Sequence, residues 1–130
     1  MKTMRQLHRE SPQTVQDILD YLREAPLYEA ITAGGRDFLL VHSGIDNFDK
    51  RKKMSQYSAD DFLWTSPELE TEYFDDIITV FGHTPTIFFG EEYDGKILKT
   101  KTWIDIDVGA GFGQKAALLR LDDLKEFFAD

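Results

Sequence analysis

The chain has 130 residues, no cysteine, three histidines and a formal net charge of −9. That length is one domain and can bury roughly 65–70% of its unfolded surface. The missing cysteines exclude disulfides, thiolate zinc sites and a cysteine nucleophile. The acidity argues against general nucleic-acid binding, which depends on Lys and Arg at phosphates.

A hydrophobic fraction of 42% and an aromatic fraction of 13% fit a globular chain. Ten phenylalanines predict an aromatic-rich core, or apolar surface meant for a partner. The N-terminal stretch Met1–Glu10 is basic without an apolar core, so it does not read as a signal peptide. No apolar run approaches the ~20 residues that span a bilayer. A cytoplasmic protein without membrane contact is the expectation.

Residues 1–10 read as a charged tail, with His8 as a solvated side chain. A helix follows. Ser11 suits its N-cap and Pro12 its first position, where a missing N–H costs nothing. Val15, Ile18, Leu19 and Leu22 recur at i, i+3, i+4, i+7 and predict one buried stripe. Pro26 ends the helix.

Residues 28–32 and 37–42 read as two strands, joined through Ala33-Gly34-Gly35-Arg36 by a hairpin turn. The second delivers His42. The basic run Lys50-Arg51-Lys52-Lys53 reads as a solvated face rather than a phosphate rim. Residues 58–64 predict a short helix capped by Ser58. Ile77-Ile78-Thr79-Val80-Phe81 is a continuous apolar run, as for a strand buried on both faces, and it leads into Gly82-His83-Thr84-Pro85.

Residues 86–89 and 96–100 read as strands flanking an Asp94-Gly95 hairpin turn. Residues 102–107 alternate polar and apolar, as in a half-buried strand. Gly109, Gly111 and Gly113 lie in a loop that opens no long helix, so it reads as a turn rather than a nucleotide cradle. Residues 115–121 predict a last strand.

Two histidines, each at the carboxyl end of a buried strand, suggest a metal site, because open α/β sheets place ligands there and imidazole suits zinc, iron and manganese. Two buried histidines satisfied by backbone hydrogen bonds are the competing reading. Two are also too few, since metal sites use three or four protein ligands. A Ser/His/Asp triad is disfavoured: Ser43 neighbours His42 on the opposite face of a strand, and no G-x-S-x-G elbow is present.

Three segments then carry a resemblance. They are Leu39-Leu40-Val41-His42-Ser43-Gly44-Ile45, Val80-Phe81-Gly82-His83-Thr84-Pro85 and the run from Ile104 to Gly113. With Phe62-Leu63-Trp64 between the first two, their order and spacing resemble the phosphoprotein phosphatase branch of the calcineurin-like metallophosphoesterases. The likeness runs from Ser11 onward and corresponds to the C-terminal half of that domain. It implies an α/β fold with an α+β-like mixed sheet, half of the family's β-sandwich flanked by helices, with the second sheet missing or supplied in trans. Residues 1–10 are then a tail and 11–130 a partial domain.

The resemblance implies a two-metal hydrolysis of phosphate monoesters, with manganese, iron or zinc activating a bridging water. His42 and His83 match the family's two histidine ligands of one metal. The family's phosphate-gripping arginine falls at Ser66, which cannot give a bidentate charged contact. Val108 and Gln114 also depart from the family pattern. The motifs that carry the remaining ligands and the catalytic acid are absent, so no catalytic residue is expected in this chain.

Implied substrates are a phosphorylated protein or a small phosphoester such as a dinucleoside polyphosphate. The alternative class is a non-catalytic half-domain that forms a homo-oligomer or pairs with an N-terminal half.

Overall fold

The fold, a computed structural model, describes residues 2–129. Two helices lead, α1 (Lys2–Leu7) and α2 (Pro12–Glu24). Seven strands follow: β1 (Tyr28–Ala33), β2 (Arg36–Val41), β3 (Ile78–Phe81), β4 (Leu98–Lys99), β5 (Trp103–Asp105), β6 (Ala117–Arg120) and β7 (Lys125–Phe128). The segment expected to be a tail is therefore helical from Lys2 to Leu7, with His8 exposed just beyond it. No described helix is long and apolar enough to cross a membrane.

The main sheet has five strands in the order β1-β2-β3-β5-β4. Its centre is parallel, β2 with β3 and β3 with β5, and its two edge pairings are antiparallel. It is a mixed α/β architecture. The β1–β2 hairpin turns at Gly34 and Gly35, whose φ values of +58° and +74° suit the turn that matches strand twist. Gly34 also lies against the Asp122 backbone, where an added Cβ would come within 1.9 Å of the carbonyl oxygen.

Both faces of the sheet are covered, so its central strands are apolar on both sides. On one face Leu39, Phe81, Leu98 and Trp103 pack with Ile45, Tyr57, Phe62 and Tyr73 from the connecting segments. On the other, Phe38, Val80, Ile97, Ile104 and Val108 meet Ala117, Leu119, Leu121 and Leu124. The chain thus carries a small second sheet of two antiparallel strands, β6 and β7, where the second sheet was expected to be missing or supplied in trans.

Several elements differ from expectation for local reasons. Residues 86–89 form a 3-10 turn rather than a strand, because Pro85 sets the entry and Gly90 closes it at φ +147°. Another such turn spans Glu91–Tyr93, so Asp94-Gly95 is not a two-strand hairpin. Residues 103–105 are buried throughout, because Trp103 packs into the core on one face of the sheet and Ile104 into the core on the other. The glycine-rich loop closes in a 3-10 turn over Ala110–Phe112.

The largest difference is at α2. Its bounds match the caps: the Ser11 hydroxyl accepts from the Thr14 N–H at 3.1 Å, and Ala25 leaves the helix before Pro26. Yet no residue of α2 is buried. Ile18, Leu19 and Leu22 are 37%, 40% and 61% exposed, so the stripe is formed but uncovered.

Candidate metal centre

His42 follows β2 and His83 lies two residues past β3, at the carboxyl ends of adjacent parallel strands. The ladder continues one step beyond the strands, the Gly82 N–H donating to the His42 carbonyl at 3.1 Å. His83 is then one residue further along than His42. Its left-handed backbone, φ +73°, turns the ring back toward its partner.

The result is a contact between His42 Nε2 and His83 Nδ1 at 3.0 Å, with ring centroids 4.8 Å apart. One imidazole donates to the other, the direction being set by the tautomers. Both side chains are exposed. Two nitrogens bound to one metal at 2.0–2.1 Å lie roughly 3.0–3.4 Å apart. The spacing of the pair therefore suits two neighbouring positions on a single ion. The donor count does not complete a site: among the described residues, no group of three or more His, Cys, Asp or Glu is placed to hold a metal.

The segment 61–66 forms the side of the site. It is pinned to the loop after His42 by three backbone contacts: Ser43 N–H to Phe62 O at 3.0 Å, Gly44 N–H to Thr65 O at 2.8 Å, and Asp46 N–H to Asp61 O at 2.8 Å. Ser43 is fully buried; its hydroxyl accepts from the Thr65 N–H and donates to the Gly44 carbonyl. It is a structural bridge and not a nucleophile. The Asp61 carboxylate accepts from Asn47 and from the Ser58 N–H and hydroxyl, and these bonds hold its pKa below the usual range. Trp64, 70% exposed, stands edge-on to His83 with centroids 6.0 Å apart.

Ser66 is exposed and does not join the histidines; it lines a separate cleft of about 330 Å³ with Glu68, Glu70, Phe88 and Phe89. The basic run is solvated and engaged locally. Lys50 pairs with Asp75 at 2.8 Å, Arg51 with Asp49 at 2.7 Å, and Lys52 lies over the Tyr57 ring.

Sequence reasoning missed Asp105. Alternation placed it on a wet face, but it is fully buried opposite Phe81. Oδ1 accepts from the Asp107 N–H at 2.9 Å, while Oδ2 has no partner among the described residues. Burial pushes its pKa up to about 8, against the opposing pull of that hydrogen bond. At neutral pH it carries its proton. The nearby Thr79 hydroxyl, on the neighbouring strand, is likewise buried without a partner. The signal available was spacing: Asp105 is two residues from Trp103 and so shares its face of the strand, and Trp103 belongs to the core. No family model and no curated protein matches the chain.

Proposed function

We propose that His42 and His83 are two ligands of a divalent metal in a phosphoric-ester hydrolase centre of the calcineurin-like type, and that the remaining ligands come from outside this sequence. The observation that carries this reading is the 3.0 Å spacing of His42 Nε2 and His83 Nδ1 at adjacent strand ends. It supports a chelating pair and gives no support for histidines satisfied separately by the backbone. A metal held there would polarise phosphoryl oxygens and lower the pKa of a bound water. This chain's own contribution is two nitrogen donors and the loops that hold them. Among the described residues no carboxylate joins the pair, so no hydrolytic step is assigned to the chain alone.

Manganese, iron and zinc all suit imidazole donors. The substrate class is a phosphorylated protein or a small phosphoester, reached only when the centre is completed. A phosphatase assay on the purified chain with added manganese tests this. The reading predicts no turnover above buffer; robust turnover abolished by His83→Ala would overturn the incompleteness.

A second reading has its own observation, the uncovered stripe of α2. A 13-residue helix is marginal in water without a packed face. As a half-domain, the chain would bury that stripe by pairing with an N-terminal half or with a second copy. The two readings are compatible, since the same pairing could bring the missing ligands.

A further inference from the structure

We infer that Asp105 is the positioning residue of the centre: through the turn that its carboxyl closes, it holds His83 in the conformation that meets His42. The inference rests on the metal-centre reading above for the use made of the pair, and not for the pair itself.

The need for a brace lies at His83. The Thr84 N–H donates to the Gly82 carbonyl at 2.9 Å, so His83 is the middle of a three-residue turn. Its φ of +73° is that of the strained form of such a turn. A side chain in that conformation persists only where the surrounding structure fixes it.

Two bonds do the fixing, and both come from one dipeptide. Before the turn, the Ile106 N–H donates to the Phe81 carbonyl at 2.9 Å; after it, the Thr86 N–H donates to the Asp107 carbonyl at 2.8 Å. Between them Gly82 lies against Asp107, where an added Cβ would stand 3.6 Å from the Asp107 Cβ. His83 is thus bracketed by Ile106 and Asp107, and the path of those two residues sets the path of the turn.

Asp105 sets theirs. Its Oδ1 accepts from the Asp107 N–H at 2.9 Å, and Asp107 Oδ1 repeats the device with the Gly109 N–H at 3.0 Å. Asp107 is half-buried, but Asp105 is fully buried, with Phe81 and Leu98, both core residues, as its cross-strand neighbours. An apolar side chain would fill that place without an unpaired oxygen, but it could not close the turn. Neither cross-strand neighbour is titratable. Burial opposes ionisation of the carboxyl, the Asp107 N–H favours it, and the Asp107 charge opposes it. Once ionised in alkali, the group gains by reaching water, and leaving the sheet opens its bond to Asp107.

The test follows the imidazole signals of the full chain by proton–nitrogen NMR as pH is raised from 7 to 9, with His8 as reference. In the parent, His42 and His83 should change together near pH 8. The amides of Gly34 and Gly35, at the opposite end of β2 from His42, should hold their positions. Asp105→Asn keeps an acceptor oxygen and cannot titrate, so it should retain the parent's neutral signals across the range. Asp105→Leu cannot accept; it should move both signals at pH 7 and weaken zinc binding about tenfold or more. A parent pair that does not respond, a response that persists in the asparagine variant, or one shared by Gly34 and Gly35 overturns the assignment. Should the leucine variant fail to fold, the parent and the asparagine variant decide between them. Zinc bound equally by all three chains overturns the positioning role and leaves the metal reading standing. Zinc bound by none, with the alkaline response of the pair intact and absent from Asp105→Asn, upholds the positioning role and removes the metal reading.

Discussion

The Gly82 N–H donates to the His42 carbonyl at 3.1 Å, carrying the β2–β3 ladder past the last paired residues of both strands. This bond sets the spacing of the two histidine-bearing loops. Only then does the left-handed backbone of His83 bring its Nδ1 to His42 Nε2. A side chain other than glycine in that conformation stores strain, and such strain concentrates at functional sites. His83→Gly should therefore raise stability by about 1 kcal/mol while abolishing metal binding. Urea unfolding beside a metal titration checks both halves. A destabilised glycine variant would mean that the ring contributes packing which outweighs the strain.

Asp105 should make the fold sensitive to alkali. The unfolded carboxyl ionises near 3.8, and the folded one holds its proton to about 8. Between those values the native state binds more protons, so stability falls as pH rises, by up to about 1.4 kcal/mol per pH unit. The contribution is fully present below about pH 4 and lost above about pH 8. Asp105→Asn removes the titration. Chemical denaturation across that range should show a flatter curve for the variant and a clear gain over the parent at pH 8.

Gly44 holds the loop after His42 against the 65–67 segment. A Cβ there would stand 2.7 Å from the Tyr73 hydroxyl, 2.9 Å from Pro67 Cδ and 3.0 Å from the Thr65 carbonyl oxygen. The Tyr73 hydroxyl also accepts from the Ile45 N–H at 2.9 Å, so it cannot retreat without loss. Gly44→Ala should cost about 1–3 kcal/mol, read as a lowered denaturation midpoint. It should also shift the Trp64 environment, visible in fluorescence.

The helix stripe gives a prediction of a different kind. Leu22 is 61% exposed on α2, so Leu22→Glu should change the stability of the chain by no more than about 0.5 kcal/mol. If the stripe is a pairing surface, the same change should abolish self-association seen by sedimentation at high concentration. Association that persists in the variant would assign pairing to another surface.

How much of this was legible beforehand depends on whether the cause is local. The α2 bounds were readable because Ser11, Pro12 and Pro26 act through their own backbones. The β1–β2 hairpin was readable because Gly34 and Gly35 permit positive φ. The strands before His42 and His83 were readable because an apolar run needs cover on both faces, which the two core clusters supply. What local pattern could not give was position in the sheet. Alternation in residues 102–107 suggested one wet face, yet Trp103 packs into the core on one face of the sheet and Ile104 into the core on the other. The periodicity of α2 defines an apolar stripe but not whether anything covers it. β7 was missed because Lys125–Phe128 alternates poorly and is held mainly by its pairing with β6. At the site, strand ends pointed to both histidines, but their 3.0 Å approach depends on parallel register and on the turn at His83.

The most direct test of the account follows the imidazole nitrogens by long-range proton–nitrogen NMR during a zinc titration. The chain has three histidines, and His8, exposed beyond α1, is an internal reference. The account predicts that His42 Nε2 and His83 Nδ1 shift together as zinc is added in excess while His8 responds less, and that His83→Ala removes the response of His42. Shifts at only one of the pair, or shifts at His8 equal to theirs, would contradict it.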